Sequence, residues 1–297
     1  MLVPGEAEGA HHAGTDAGNW RGGGSHLRAY FVPYFLLMPL FALCALCAFS
    51  GQPNTQEIIR LSVAATEAGW KAMPQFSDIE QDADTRNGVT TAKTYKVLMI
   101  DGTPYYRLIA VDDEPLSGAE QARETEKFER AIARRASEPE KQRARRLAQY
   151  QKDRNRMFTL LHAMAEAFDF KMVGEEKLEG HDMYVLEATP RPGYEPESLE
   201  TEILTGMKGK LWIDKGDYQW VKVEAVAVKP VWLGWFIAKV LPGTSFLLEQ
   251  SPVMKGLWLP SHFRLEVKAK VLWLLHKSYF HDESYRDYRQ ISPLSTP

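Results

Sequence analysis

From Phe263 to Val271 every second residue is apolar: Phe263, Leu265, Val267, Ala269 and Val271, with His262, Arg264, Glu266, Lys268 and Lys270 beside them. A strand turns successive side chains to opposite faces, so this stretch predicts a strand with one greasy face and one charged face. The same period marks Thr90–Ile100 and Pro104–Val111, joined by the hairpin signal Asp101-Gly102. It returns in Phe170–Glu176 and Met183–Thr189, turned at Glu179–Asp182, and in Met207–Ile213 and Tyr218–Val228, turned at Asp214–Asp217. In that last hairpin Met207, Leu211, Ile213, Val221, Val223, Ala225 and Ala227 are apolar and fall on odd positions, predicting one buried face. Further strands are expected around Phe76–Ala83, Thr244–Gln250 and Ser278–Ile291.

Helical spacing appears in two places. Ile59, Val63, Thr66, Trp70 and Met73 share one face of a helix over Asn54–Met73, with Asn54 or Thr55 as cap and Pro74 as its end. From Ser117 to Phe168 the strand signal stops and Ala, Glu, Arg, Lys and Gln dominate. Pro139 divides this region into two expected helices, Ala119–Ala136 and Pro139–Phe168. The second becomes amphipathic at its end, where Met157, Leu160, Leu161, Met164 and Phe168 line one side; that half must pack on the sheet or cover an opening. Val231–Leu241 has no alternation and is too short to span a membrane as a helix; it reads as a strand buried on both faces, as a short helix, or as an apolar lip. Hairpins dominate, so the fold class is α+β: a strongly twisted antiparallel sheet of about ten or eleven strands, with helices gathered on one side.

Composition adds bounds. An apolar fraction of 44% and a charged fraction of 25% allow a sizeable core in 297 residues. The net charge of −3 excludes a globally basic nucleic-acid binder. The arginines of the 117–168 region (Arg134, Arg135, Arg143, Arg145, Arg146, Arg154, Arg156) make it locally basic. It reads as a solvated hairpin or as a surface for anionic headgroups; interleaved acids and the absence of a base-reading motif argue against nucleic acid.

The run Tyr30–Phe49 follows Arg21 and Arg28 and ends Ala48-Phe49-Ser50-Gly51, the pattern of a cleaved export signal. Residues 1–50 are therefore expected to be an extension and signal peptide, and 51–297 one domain. Cleavage after Ser50 leaves no cysteine, because Cys44 and Cys47 both lie in the run. Two other readings stay open: an uncleaved anchor in the inner membrane, since about 20 residues suffice to span a bilayer, and lipidation of Cys47, against which stands the bulky Leu46.

The chain carries no Gly-rich phosphate loop, no His-Glu-x-x-His and no Gly-x-Ser-x-Gly. His162, His181, His262, His276 and His281 fall on separate elements without metal-ligand spacing. No enzyme activity, metal or cofactor is expected.

Six stretches carry a resemblance: Asp101-Gly102-Thr103-Pro104-Tyr105-Tyr106-Arg107-Leu108; Phe168-Asp169-Phe170 with Glu175 and Gly180; Thr189-Pro190-Arg191-Pro192-Gly193-Tyr194; Gly209–Asp214 leading to Val221–Glu224; Gly256-Leu257-Trp258-Leu259-Pro260; and Tyr285-Arg286-Asp287-Tyr288-Arg289. In order and spacing, from about residue 55 to 291, the chain resembles the LolA-like outer-membrane lipoprotein-sorting proteins, in an extended branch with a charged helical insertion. The resemblance implies an unclosed antiparallel β-barrel with covering helices over an apolar cavity, in a periplasmic carrier of lipoprotein acyl chains. On it, Leu211, Ile213, Val221, Val223, Phe263, Leu265 and Val267 are expected to line the cavity, with Met164 and Phe168 on the covering helix. The partners expected are lipoprotein acyl chains or another lipid. The alternative is an envelope sensor or scaffold of the same fold that binds a protein partner through the helical insertion.

Overall fold

A computed structural model describes residues 54–86, 89–233, 238–271 and 275–291. The export-signal, anchor and lipidation readings of Tyr30–Phe49 lie outside these residues, as do positions 234–237 of the Val231–Leu241 run.

The chain begins with helix α1 (Thr55–Ala72), whose Asn54 side chain accepts a hydrogen bond from the Glu57 amide at 2.9 Å. Strands β1 (Phe76–Arg86), β2 (Val89–Ile100), β3 (Thr103–Val111) and the two-residue β4 (Glu114–Pro115) follow. Next come α2 (Gly118–Ala136), closed at its start by a capping box between Ser117 and Glu120, and α3 (Glu140–Ala167), which starts directly after Pro139. Then come β5 (Phe168–Leu178), β6 (His181–Pro190), the short α4 (Leu199–Glu202), β7 (Met207–Asp214) and β8 (Trp220–Ala227). The chain continues through β9 (Val231–Leu233), β10 (Ala238–Val240), β11 (Ser245–Met254), β12 (Leu257–Val271) and β13 (Leu275–Gln290). The unpatterned Val231–Leu241 run thus contributes two short strands, β10 pairing with both β9 and β12.

All pairings are antiparallel, and the main path runs β4-β3-β2-β1-β13-β12-β11-β8-β7-β6-β5 within a sheet of 13 strands. Its ends, β4 and β5, do not pair with each other, so the sheet is an unclosed barrel. Among the described residues, no helix is long and apolar enough to cross a membrane.

Helix α1 nests against the inner face of this sheet. Ile58, Ile59, Ser62, Val63, Thr66, Gly69 and Trp70 are its buried residues. Ser62 and Thr66 are polar yet fully buried, because Trp220 uses both: its indole N–H donates to Ser62 Oγ at 2.9 Å, and its amide points to Thr66 Oγ1 at 3.4 Å. Gln250 extends the network, donating to the Trp220 carbonyl at 2.7 Å and accepting from the Trp70 indole at 3.3 Å. At Gly69 a Cβ would lie 2.9 Å from the Trp258 carbonyl oxygen, so this position admits no side chain at the present packing distance.

The α2–α3 hairpin is more firmly attached than its solvated sequence suggests. Phe128 of α2 packs on Tyr105, and Arg107 donates to Thr125. These β3 residues face away from the interior, whereas Tyr106 faces into it. Helix α3 covers the interior side. The turn Asp101-Gly102-Thr103 is gripped between them: Arg135 donates to the carbonyls of Ile100, Thr103 and Pro104. Arg143 and Arg146 pair with the Asp101 carboxylate at 3.0 and 2.7 Å, and Arg146 also bonds Glu138, the Asp101 carbonyl and Thr103 Oγ1. Asp101 and Gly102 both have positive φ, as a tight two-residue hairpin turn requires. The basic character of this segment is thus partly consumed inside the protein.

Candidate functional site

The interior of the half-barrel is filled over much of its length and hollow where the sheet presents small side chains. Register makes this explicit. One row across the inner face runs Leu186, Leu211, Val223, Leu248, Phe263. The next runs Ala188, Gly209, Ala225, Phe246, Leu265. Three neighbouring small residues in the second row leave a depression that α3 spans rather than fills. The result is an almost wholly apolar compartment of about 280 Å³, walled by the sheet, with Phe168 at the start of β5, and by Leu160 and Met164 of α3.

Of the residues singled out from the sequence, Leu211, Val223, Phe263, Leu265, Met164 and Phe168 line this compartment, Phe168 from the first position of β5 rather than from the covering helix, which ends at Ala167. Three do not. Ile213 shares the inner face but is fully buried in the main core, opposite Trp220. Val221 faces the other way: the β7–β8 register shifts between Trp212 and Ile213, so Trp212 pairs with Lys222 but Ile213 with Trp220. This bulge turns Val221 into a separate core with Met183, Val185, Trp212 and Trp258 on the opposite face. Val267 lies beyond the last β11–β12 pair, Ser245–Glu266, and is outside the compartment. Ala225 was among the alternating apolar positions of its hairpin but not among the expected lining residues, and Ala188, Gly209 and Phe246 were not singled out at all; alanine and glycine carry little hydrophobic signal, and the register is what brings the four side by side.

A second compartment, of about 480 Å³, adjoins the first and shares Leu160, Met164, Phe246 and Phe263 with it. Its far wall is different in kind. Strand β1 points Asp78, Glu80, Asp82 and Asp84 to one face, and that face is inner: Asp78 lies opposite Val97 and Glu80 opposite Tyr285, and both of these pairs line the compartment. Asp78, Glu80 and Glu283 line the compartment, with Tyr106, Tyr150, Tyr285 and Arg154.

The electrostatics follow from burial. Asp78 is 8% exposed, and desolvation pushes its carboxyl up to about 7. Glu80 is raised further, first by burial and then by the charges of Asp82 and Glu283. Tyr285 donates to Glu283 Oε2, and its hydroxyl is raised by burial and by the Glu283 charge. His281 sits between Asp84 Oδ1 at 2.8 Å and Glu283 Oε1 at 2.6 Å; burial works against its charge, but these two bonds outweigh that and raise its pKa. The oxygens of Glu80, Asp82 and Glu283 come within 4.8 Å of one another, close enough to hold a cation. His262 is a separate case, bridging Glu249 and Asp282 outside both compartments.

No family model matches the chain, and no curated protein matches it. Several solved structures do. A Vibrio parahaemolyticus domain assigned as an outer membrane lipoprotein-sorting protein is 14% identical, covering 79% of this chain and 93% of its own, with a TM-score of 0.31. A LolA superfamily protein from Nitrosomonas europaea is 13% identical over 78% and 94%, with a TM-score of 0.29. The MucA/MucB complex of Pseudomonas aeruginosa gives 11% identity over 80% and 99%, with a TM-score of 0.23. With its unclosed antiparallel sheet and covering helices, the chain is similar to the LolA-like family.

Proposed function

We propose that the protein is a non-enzymatic lipid carrier of the periplasm that holds an acyl chain beneath α3. The observation that carries this is the apolar compartment itself, an unfilled hollow walled by Leu211, Val223, Phe263, Leu265, Met164 and Phe168. Each methylene removed from water there contributes about 0.8 kcal/mol, so affinity needs no polar anchor. The first compartment alone, at about 280 Å³, falls below the roughly 300–1,000 Å³ of usual ligand sites, and the second, at about 480 Å³, lies within that range. Their shared wall at Leu160, Met164, Phe246 and Phe263 lets one chain extend through both. Outer-membrane lipoprotein acyl chains are the cargo this reading favours.

Native mass spectrometry of the chain purified from bacteria tests it. A co-purifying lipid, lost in Ala225→Phe, is the expected result. A ligand-free protein that also takes up no fluorescent acyl probe would overturn the proposal. Binding of a protein partner through the helical insertion has weaker support, because Arg135, Arg143 and Arg146 already serve the β2–β3 turn.

A further inference from the structure

The second compartment joins an apolar side to a wall of carboxyls, of which Glu283 is bonded by His281 and Tyr285 while Asp78 and Glu80 have no cationic partner among the described residues. Asp78 is more than nine-tenths buried, lines the compartment, and has no hydrogen-bond or ion-pair partner among the described residues. Glu80, two residues along the same face, pairs with no lysine or arginine among those residues either. The cation on the wall, Arg154, is engaged elsewhere: it donates to the Trp70 carbonyl at 2.9 Å and lies over the Tyr150 and Phe158 rings. Buried carboxyls without a counter-charge are costly, and retaining them beside an open volume points to a cation supplied from outside.

The surroundings indicate which cation. Tyr106, Tyr150 and Tyr285 share the compartment with the acids, and aromatic faces beside carboxylates favour an organic ammonium, which gains from both charge and ring quadrupole. The apolar compartment next door accommodates a tail. We infer that the second compartment is the head-group site for an amphiphile carrying a protonated amine, its ammonium held by Asp78 and Glu80 and its tail continuing past Phe246 and Phe263 beneath α3. This rests on the carrier reading and narrows it: an ammonium draws these buried carboxyls into their ionised form and pairs with it, whereas a fatty-acid carboxylate gains no such pair.

Calorimetric titration of the purified chain near neutral pH with dodecylamine, dodecanol and dodecanoate tests the assignment. Dodecylamine is expected to bind at least about tenfold more tightly than dodecanoate. In Asp78→Asn/Glu80→Gln that preference should shrink to about twofold or less while dodecanol binding stays the same, showing an intact fold and tail site. Equal affinity of the wild type for amine and carboxylate overturns the head-group site but leaves the carrier reading standing, as does a preference that survives in the double variant. Failure of all three probes overturns both. Tight Ca²⁺ binding without amine preference overturns the assignment in favour of a metal site at Glu80, Asp82 and Glu283.

Discussion

Asp78→Asn should alter the pH dependence of stability more than stability itself. In the folded protein burial moves the Asp78 carboxyl from 3.8 to about 7. The native state therefore keeps a proton that the unfolded chain releases, and stability falls with rising pH wherever the two states differ in protonation. The sign is thus opposite to that of a salt-bridged aspartate. Below the unfolded value there is no penalty; it grows through the interval and is complete above the folded value. Each unit of difference corresponds to about 1.4 kcal/mol, so the full penalty is about 4 kcal/mol, and about 3 kcal/mol of it develops between about pH 5 and about pH 9. Asparagine keeps the shape and cannot ionise. Urea unfolding of wild type and variant at those two pH values should show the variant gaining about 3 kcal/mol relative to wild type at the higher one. Glu80 and Asp82 titrate in both proteins, so they cancel to first order. A difference between the proteins that is flat across this range would mean that Asp78 is solvated, and the buried acidic wall would have to be abandoned.

Other substitutions probe the packing. Ser62→Ala leaves the buried Trp220 indole N–H without its acceptor and should cost about 1–3 kcal/mol in chemical denaturation. Gly69→Ala drives a methyl against the Trp258 carbonyl oxygen, 2.9 Å from the ideal Cβ position, and should cost about 1–3 kcal/mol, with α1 losing amide-exchange protection before the sheet. Ala225→Phe should abolish uptake of an acyl probe at a stability cost of about 1–3 kcal/mol, since it fills the hollow made by the small-residue row. Arg146→Ala removes bonds to Asp101, Glu138 and Thr103 and should speed amide exchange at residues 100–104 while leaving β7–β8 unchanged.

Much of the architecture was legible because the strand and helix periods are clean. The hairpins at Asp101-Gly102 and Asp214–Asp217 and the division at Pro139 all appear where the pattern places them. The site was legible only in part. Alternation separates two faces but does not say which is inner. In β1 the acidic face, Asp78-x-Glu80-x-Asp82-x-Asp84, reads as solvated surface, yet pairing with Val97, Tyr95 and Tyr285 turns it inward. Val221 shows the complementary limit: one bulge at Trp212–Ile213 exchanges faces, and nothing in the alternating sequence marks it. The hollow depends on Ala188, Gly209 and Ala225 meeting side by side, a coincidence of three strands that no single segment contains.

The gripped turn has a mechanical consequence. Because Arg135, Arg143 and Arg146 fasten the tip of the β2–β3 hairpin between α2 and α3, the start of α3 cannot swing out like a door on a free edge. It would have to drag the hairpin with it, or rupture several charge-assisted bonds at once. Further along α3, Leu160 and Met164 meet the sheet through apolar contact, whereas the end of the helix is tied again, by the His162–Glu67 pair and by Arg191 bonds to the carbonyls of Ala167 and Phe168. The fold is stiff at both ends of α3 and yielding over its hollow, so opening of the hollow would be a local loosening of side chains at Leu160 and Met164 rather than a wholesale parting of helix from barrel.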